Sequence, residues 1–184
     1  MPVVARSEVL SETALIVRVP EAEPWVKHLR TSLDPSAALG MPAHITILFP
    51  FLPPERITER EIRIVDEAFS SISAFTFTLQ RVGRWPQTAY LAPEPAAPFV
   101  QLTEAVVAAF PDYRPYAGKY SEIVPHLTVA DGSARVADEA QTEILAVLAK
   151  RGPIQSRCCE VQLLENTSGR WNKMSAITLA KGSG

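Results

Sequence analysis

The chain has little of several things, and each scarcity removes a class of function. Only two cysteines occur among 184 residues. They are adjacent, Cys158 and Cys159, inside the strand-like stretch "QSRCCEVQLLE" (Gln155 to Glu165). Neighbours on a strand point to opposite faces, so a disulfide between them would be strained. They read as reduced packing residues of a cytoplasmic protein. Histidines number three, and no set of His, Cys and carboxylates falls at metal-ligand spacing, so neither metal nor cofactor is expected. The eight glycines form neither a P-loop nor a dinucleotide-binding pattern. Positive charge is not in excess: 18 Lys and Arg against 20 Asp and Glu give a net charge of -2. That excludes a broad electrostatic binder of DNA while leaving room for a small phosphate pocket. Mean hydropathy is +0.05 and no apolar run approaches the length needed to span a membrane. The N-terminal "MPVVARSEVLSETALIVRV" lacks the apolar core and cleavage site of a signal peptide, and the terminal "KGSG" reads as a flexible tail. A monomeric single domain over 1–184 is the expectation, large enough to bury its own core.

Two histidines share one frame. "HITI" begins at His44 and "HLTV" at His126, each with a proline just upstream (Pro42, Pro125). Side chains alternate along a strand, so His44 and Thr46 share a face opposite Ile45 and Ile47. His126 and Thr128 likewise stand opposite Leu127 and Val129. Given ordinary composition, a histidine has roughly one chance in a few hundred of being followed by aliphatic, threonine, aliphatic. Two of three doing so points to a common purpose.

Around these motifs the order of elements repeats. A strand is predicted at Glu12–Val19, a helix at Glu21–Leu33 with Trp25, Leu29 and Leu33 on its apolar side, then a turn and the first His strand. A helix at Thr58–Ile72 opens with Thr58 and Glu61 in capping-box spacing, and a half-buried strand follows at Ala74–Val82. The second round has a strand at Thr88–Ala92, a helix at Ala97–Phe110 and a loop over 111–124. The second His strand, a helix at Val136–Lys150 and the strand at Gln155–Glu165 complete it, and a last strand, Lys173–Ala180, closes the chain. The fold class is therefore α+β: a duplicated, bilobal, pseudo-two-fold unit, with two antiparallel sheets facing a central groove and helices outside. The lobes are expected at roughly 12–82 and 88–181, each with one motif.

Two imidazoles converging without a nucleophile suit general acid–base chemistry, since histidine titrates near neutrality and one ring can be neutral while the other is charged. Threonine hydroxyls on the same face can donate to anionic oxygens held between the rings. A phosphodiester needs that arrangement, a base on one side and an acid on the other.

The paired H-x-T-x motifs resemble those of the two-histidine (2H) phosphoesterase superfamily, in particular bacterial proteins described as 2'-5' RNA ligase-like or cyclic phosphodiesterase-like. The likeness extends over "HITILFPFLPP", "RVGRWPQTAYLAPEP", "VPHLTVADG" and "VQLLENTSGRWNKM". It implies a bilobal α+β fold with the motifs facing across a groove. It also implies metal-independent action on 2',3'-cyclic phosphates or 2'-5' linkages of RNA ends or small nucleotides. On the matching positions, His44 and His126 are the acid–base pair, and Thr46 and Thr128 bind phosphate. The chain departs from the pattern where some members have an arginine after the second motif: here stand Ala130 and Asp131. A non-catalytic RNA-end or nucleotide-binding module using the same groove and a 2'-5' RNA ligase are the alternative readings.

Further substrate contacts are sought at Arg84 and Trp85, at Lys119 and Tyr120 in the loop before the second motif, and at Arg170 and Trp171. A basic group beside an aromatic could take a phosphate and stack a base. Phe49 and Phe51 are expected in the core, and His28 in solvent.

Overall fold

The computed structural model describes residues 11–181. Residues 1–10 and 182–184, which carry part of the readings of the N-terminal stretch and of "KGSG", lie outside the described residues. Among the described residues five α-helices and eight strands follow in the order β1 (Thr13–Arg18), α1 (Glu23–Leu33), α2 (Pro35–Ala38), β2 (His44–Leu48), α3 (Glu59–Phe69), β3 (Phe75–Trp85), β4 (Thr88–Glu94), α4 (Ala97–Ala109), β5 (Leu127–Asp131), α5 (Ala134–Arg151), β6 (Ile154–Cys158), β7 (Glu160–Glu165) and β8 (Asn172–Thr178). The strands make two antiparallel sheets of four, in the orders β2-β1-β7-β8 and β5-β4-β3-β6. The α+β class, the two sheets and one motif per sheet agree with the expectation.

The lobe boundaries do not. The element order puts β3 in the first lobe, yet it pairs with β4 and β6 of the second sheet. The strand expected over 155–165 breaks at Cys159, so that β6 ends in the second sheet and β7 begins in the first. Helix α1 packs against β5 and α5, and α4 against β2 and α3. Each duplicated unit therefore lends its first helix and its last strand to the other's sheet. Periodicity reports which face of an element is apolar, but it does not report which edge the element will join.

One buried cluster runs through both sheets, from Leu15, Ile45 and Leu163 to Leu79, Leu91 and Leu127. Full burial of each such side chain contributes about 1.5–3 kcal/mol. Local sequence sets the boundaries as anticipated. Thr58 and Glu61 close the capping box of α3, with Thr58 N–H donating to Glu61 at 3.1 Å, and the Ser133 hydroxyl caps α5 at Val136 N–H. On α1 the fully buried residues are Val26, Leu29 and Arg30, while Trp25 and Leu33 are only partly covered. Cys158 is buried, Cys159 is exposed, and both are free thiols.

Candidate active site

β2 and β5, the end strands of their sheets, lie side by side without pairing to one another. In each the expected alternation holds: Ile45, Ile47, Leu127 and Val129 are buried, while His44, Thr46, His126 and Thr128 are half-buried. All four polar residues line one groove of about 830 Å³ between the sheets. The edge strand β2 is held from behind by the buried Thr103 of α4, whose hydroxyl donates to Ile47 O at 2.9 Å.

The two rings are fixed in the same way. His44 Nδ1 lies 2.8 Å from Pro42 O, and His126 Nδ1 lies 2.7 Å from Val124 O. A carbonyl can only accept, so Nδ1 carries the proton in both rings and Nε2 of each neutral ring presents its lone pair. Val124 precedes Pro125, which holds it to extended backbone and so helps aim that carbonyl. Burial lowers both histidines from their usual value, His44 to about 4. The hydrogen bonds to Pro42 O and Val124 O oppose the shift.

The surroundings differ. Beside His44 lies a buried ion pair: Arg30 Nη2 meets Asp34 Oδ2 at 2.9 Å, both side chains nearly inaccessible. Arg30 also donates to Met41 O at 3.1 Å, and Asp34 Oδ1 accepts from the Ser36 N–H and hydroxyl. Arg30 disfavours the His44 cation and Asp34 favours it. An apolar wall of Met41, Phe49 and Trp171 completes this end, with Phe49 and Trp171 edge to face at 6.0 Å. Beside His126 stand aromatic rings: Trp85 edge-on at 4.6 Å and Tyr90 at 5.5 Å, themselves 4.3 Å apart. Tyr90 lies flat over Gly83, where an added Cβ would come within 2.3 Å of the ring. The Asp131 carboxylate, which accepts from the Thr88 hydroxyl at 2.7 Å, favours the His126 cation.

The loop before β5 closes one side. Tyr116 and Ala117 both adopt left-handed backbone, φ 52° and 54°, a conformation costing about 1 kcal/mol or more for a residue with a side chain. Tyr116 N–H is tied to Phe49 O at 2.6 Å, and its hydroxyl faces Thr46. Burial raises the Tyr116 pKa, so the phenol stays protonated and able to donate.

Of the further contacts sought from the sequence, the aromatics reach the groove and the cations do not. Trp85, Tyr120 and Trp171 line it. Arg84 instead pairs with Asp138 at 2.8 Å and donates to Ala134 O at 2.9 Å. Lys119 sits 5.3 Å over the ring of Tyr120, and Arg170 donates to Ala38 O. Charge beside an aromatic is visible in a sequence, but the acidic or carbonyl partner that draws it away comes from another element. Phe51 is in the core as expected, whereas Phe49 walls the groove. His28 is exposed and bonded to Glu143 at 2.7 Å. Reasoning from sequence missed Arg30 and Asp34, Tyr90 with Gly83, and Tyr116. A glycine in mid-strand is a signal of close approach that would have pointed to Gly83. Among the described residues no three His, Cys, Asp or Glu side chains are grouped to hold a metal ion, and no helix is long and apolar enough to cross a membrane.

Comparison with known proteins bears on the fold and the family. The profile of the 2'-5' RNA ligase superfamily matches residues 19–170. A search of curated proteins returns no match. Among solved structures, the TT0787 protein of Thermus thermophilus is similar at 14% identity and a TM-score of 0.62, over 94% of this chain and all of that one. E. coli LigT complexed with 3'-AMP is similar at 17% identity and a TM-score of 0.60, over 93% of this chain and 99% of that one. The same protein complexed with NADP+ gives 16% and 0.57, over 93% and 98%. These structures share the fold, and the profile assigns the family: the chain belongs to the 2'-5' RNA ligase (2H phosphoesterase) superfamily.

Proposed function

We propose that the protein is a metal-independent phosphodiesterase that opens 2',3'-cyclic phosphates of nucleotides or RNA ends, or cleaves 2'-5' linkages, by two-histidine general acid–base catalysis. The observation that carries this reading is the matched pair of pinned rings. Each Nδ1–H is committed to a carbonyl two residues back, each Nε2 is left for chemistry, and each has a threonine hydroxyl two residues on. One Nε2 takes a proton from water, whose oxygen attacks phosphorus. The bond from phosphorus to one ribose oxygen breaks, and Nε2–H of the other ring protonates that oxygen. Thr46 and Thr128 donate to the non-bridging oxygens throughout.

Burial makes both rings neutral at rest, which gives two bases and no acid. An anionic substrate between them reverses part of that penalty for one ring, because an opposite charge nearby favours the protonated form. Binding therefore takes up a proton, and the active species carries one imidazolium. The complexes of E. coli LigT with 3'-AMP and NADP+ support a nucleotide ligand for this groove.

The test is hydrolysis of nucleoside 2',3'-cyclic phosphates in excess EDTA by wild type, His44→Ala and His126→Ala. Turnover that survives chelation and is lost in both variants is the expected result. Tight binding of RNA ends without turnover, retained in both variants, would replace the hydrolase with a binding module. Joining of 2'- and 5'-ends under the same conditions would make ligation the reaction.

A further inference from the structure

We infer that the groove is built for a phosphodiester carrying a single negative charge on an otherwise uncharged carrier, such as a nucleoside cyclic phosphate with a free 5'-hydroxyl, and that it discriminates against further phosphates. This rests on the phosphodiesterase reading above and narrows its substrate class. The observation is a charge inventory. Among the described residues no lysine or arginine lines the groove. Three carboxylates do: Asp34, Glu122 and Asp131. Asp34 is cancelled by its buried partner Arg30, but Asp131 is bonded only to the neutral Thr88 hydroxyl, and neither it nor Glu122 has an ion pair among the described residues. Arg84 and Arg170, which could have met a second phosphate, are engaged elsewhere, and Lys119 lies 5.3 Å over the Tyr120 ring and is not among the residues that line the groove.

The positive charge available to a ligand at the centre is thus one imidazolium, formed when the ligand itself draws the proton in. It matches one phosphodiester anion. A second phosphate finds no cation and meets the field of Asp131 and Glu122. Like charges in a half-open groove repel enough to lower affinity about tenfold, and salt screens the effect. The remaining recognition falls to apolar and hydrogen-bonding groups: Met41, Phe49 and Trp171 at one end, Trp85 at the other.

The experiment compares kcat/KM for one nucleoside 2',3'-cyclic phosphate with a 5'-hydroxyl and the same compound with a 5'-phosphate, at low and high salt. Wild type, Glu122→Gln and Asp131→Asn are measured side by side. The expected result is about a tenfold preference for the 5'-hydroxyl compound at low salt, shrinking with salt and in both variants. Equal use of the two compounds, preference for the phosphorylated one, or a ratio that neither variant moves would overturn the inference. Calorimetric titration of the wild type with the same two compounds separates this from the hydrolase reading. Discrimination in binding without turnover of either sinks the hydrolase alone, turnover without discrimination sinks the charge inference alone, and binding of neither compound sinks both.

Discussion

The His44 and His126 halves of the groove have the same chemical parts and different surroundings. In both, an aliphatic pair faces the core, Nδ1 is bonded to the carbonyl two residues back, and a threonine stands two residues on. Behind His44 there is a buried Arg30–Asp34 pair and an apolar wall. Around His126 there are Trp85, Tyr90 and an accessible Asp131. What was duplicated is a carbonyl-pinned imidazole with a threonine hydroxyl beside it on the same face. What diverged is the packing that supports each ring, and the field around it.

The sharpest way to break the equivalence is to remove each ring in turn. His44→Ala and His126→Ala should each lower kcat by roughly a thousandfold with little change in KM, since general acid–base groups contribute on that scale. The double variant should be scarcely worse than either single one, because groups acting as a unit are not additive. If one single variant kept a tenth of the wild-type rate, only one half would be doing chemistry.

The two carboxylates flanking the rings should separate cleanly in stability. Asp34→Ala leaves the Arg30 guanidinium buried without its counter-charge, costing about 3–5 kcal/mol. Asp131 is exposed, and Asp131→Ala should change stability by no more than about 0.5 kcal/mol. Urea unfolding midpoints check both, and a small effect at Asp34 would mean that water reaches the pair.

A third contrast lies in pH. His44 is lowered to about 4 by burial, so between pH 6.5 and 4 the unfolded chain binds its proton before the folded protein does. Stability from this ring is fully present above pH 6.5 and is lost as pH falls towards 4, a change on the order of 3 kcal/mol. In His44→Gln that part of the slope should vanish when stability is followed across the window by thermal unfolding. An unchanged slope would show that His44 protonates as readily folded as unfolded.

The shared parts were legible in the sequence because they are local: a period of two fixes which side chains join His44 and His126 on one face, and capping fixes where α3 begins. What was illegible depends on partners brought from elsewhere. β3 looks the same whether it pairs with β1 or with β4. Nothing local marks Arg30 of α1 as buried; its burial shows only with Asp34 and the Met41 carbonyl around it. Arg84 reads as a ligand contact until Asp138 is found across from it. Buried charge and sheet membership are decided by tertiary contact, which overrides local pattern.

Gly83 offers the finest test of how the His126 half is held. Tyr90 can lie against the strand only because residue 83 has no side chain, and in that position its edge meets the imidazole. Gly83→Ala must push the ring outward and loosen His126 while the sheet persists, so kcat should fall about tenfold with KM nearly constant, as small displacements at a reacting group do. Tyr90→Ala should produce a loss of the same kind. The decisive comparison is the pair together. If Gly83 acts through Tyr90, adding Gly83→Ala to Tyr90→Ala should cost nothing further, because the clash it creates no longer exists. Independent losses that multiply would mean that Gly83 matters to the strand itself. Among the described residues no counterpart of this device is present beside His44, where the ring is backed by charge and carbonyls, so substitutions there should move pH profiles more than geometry.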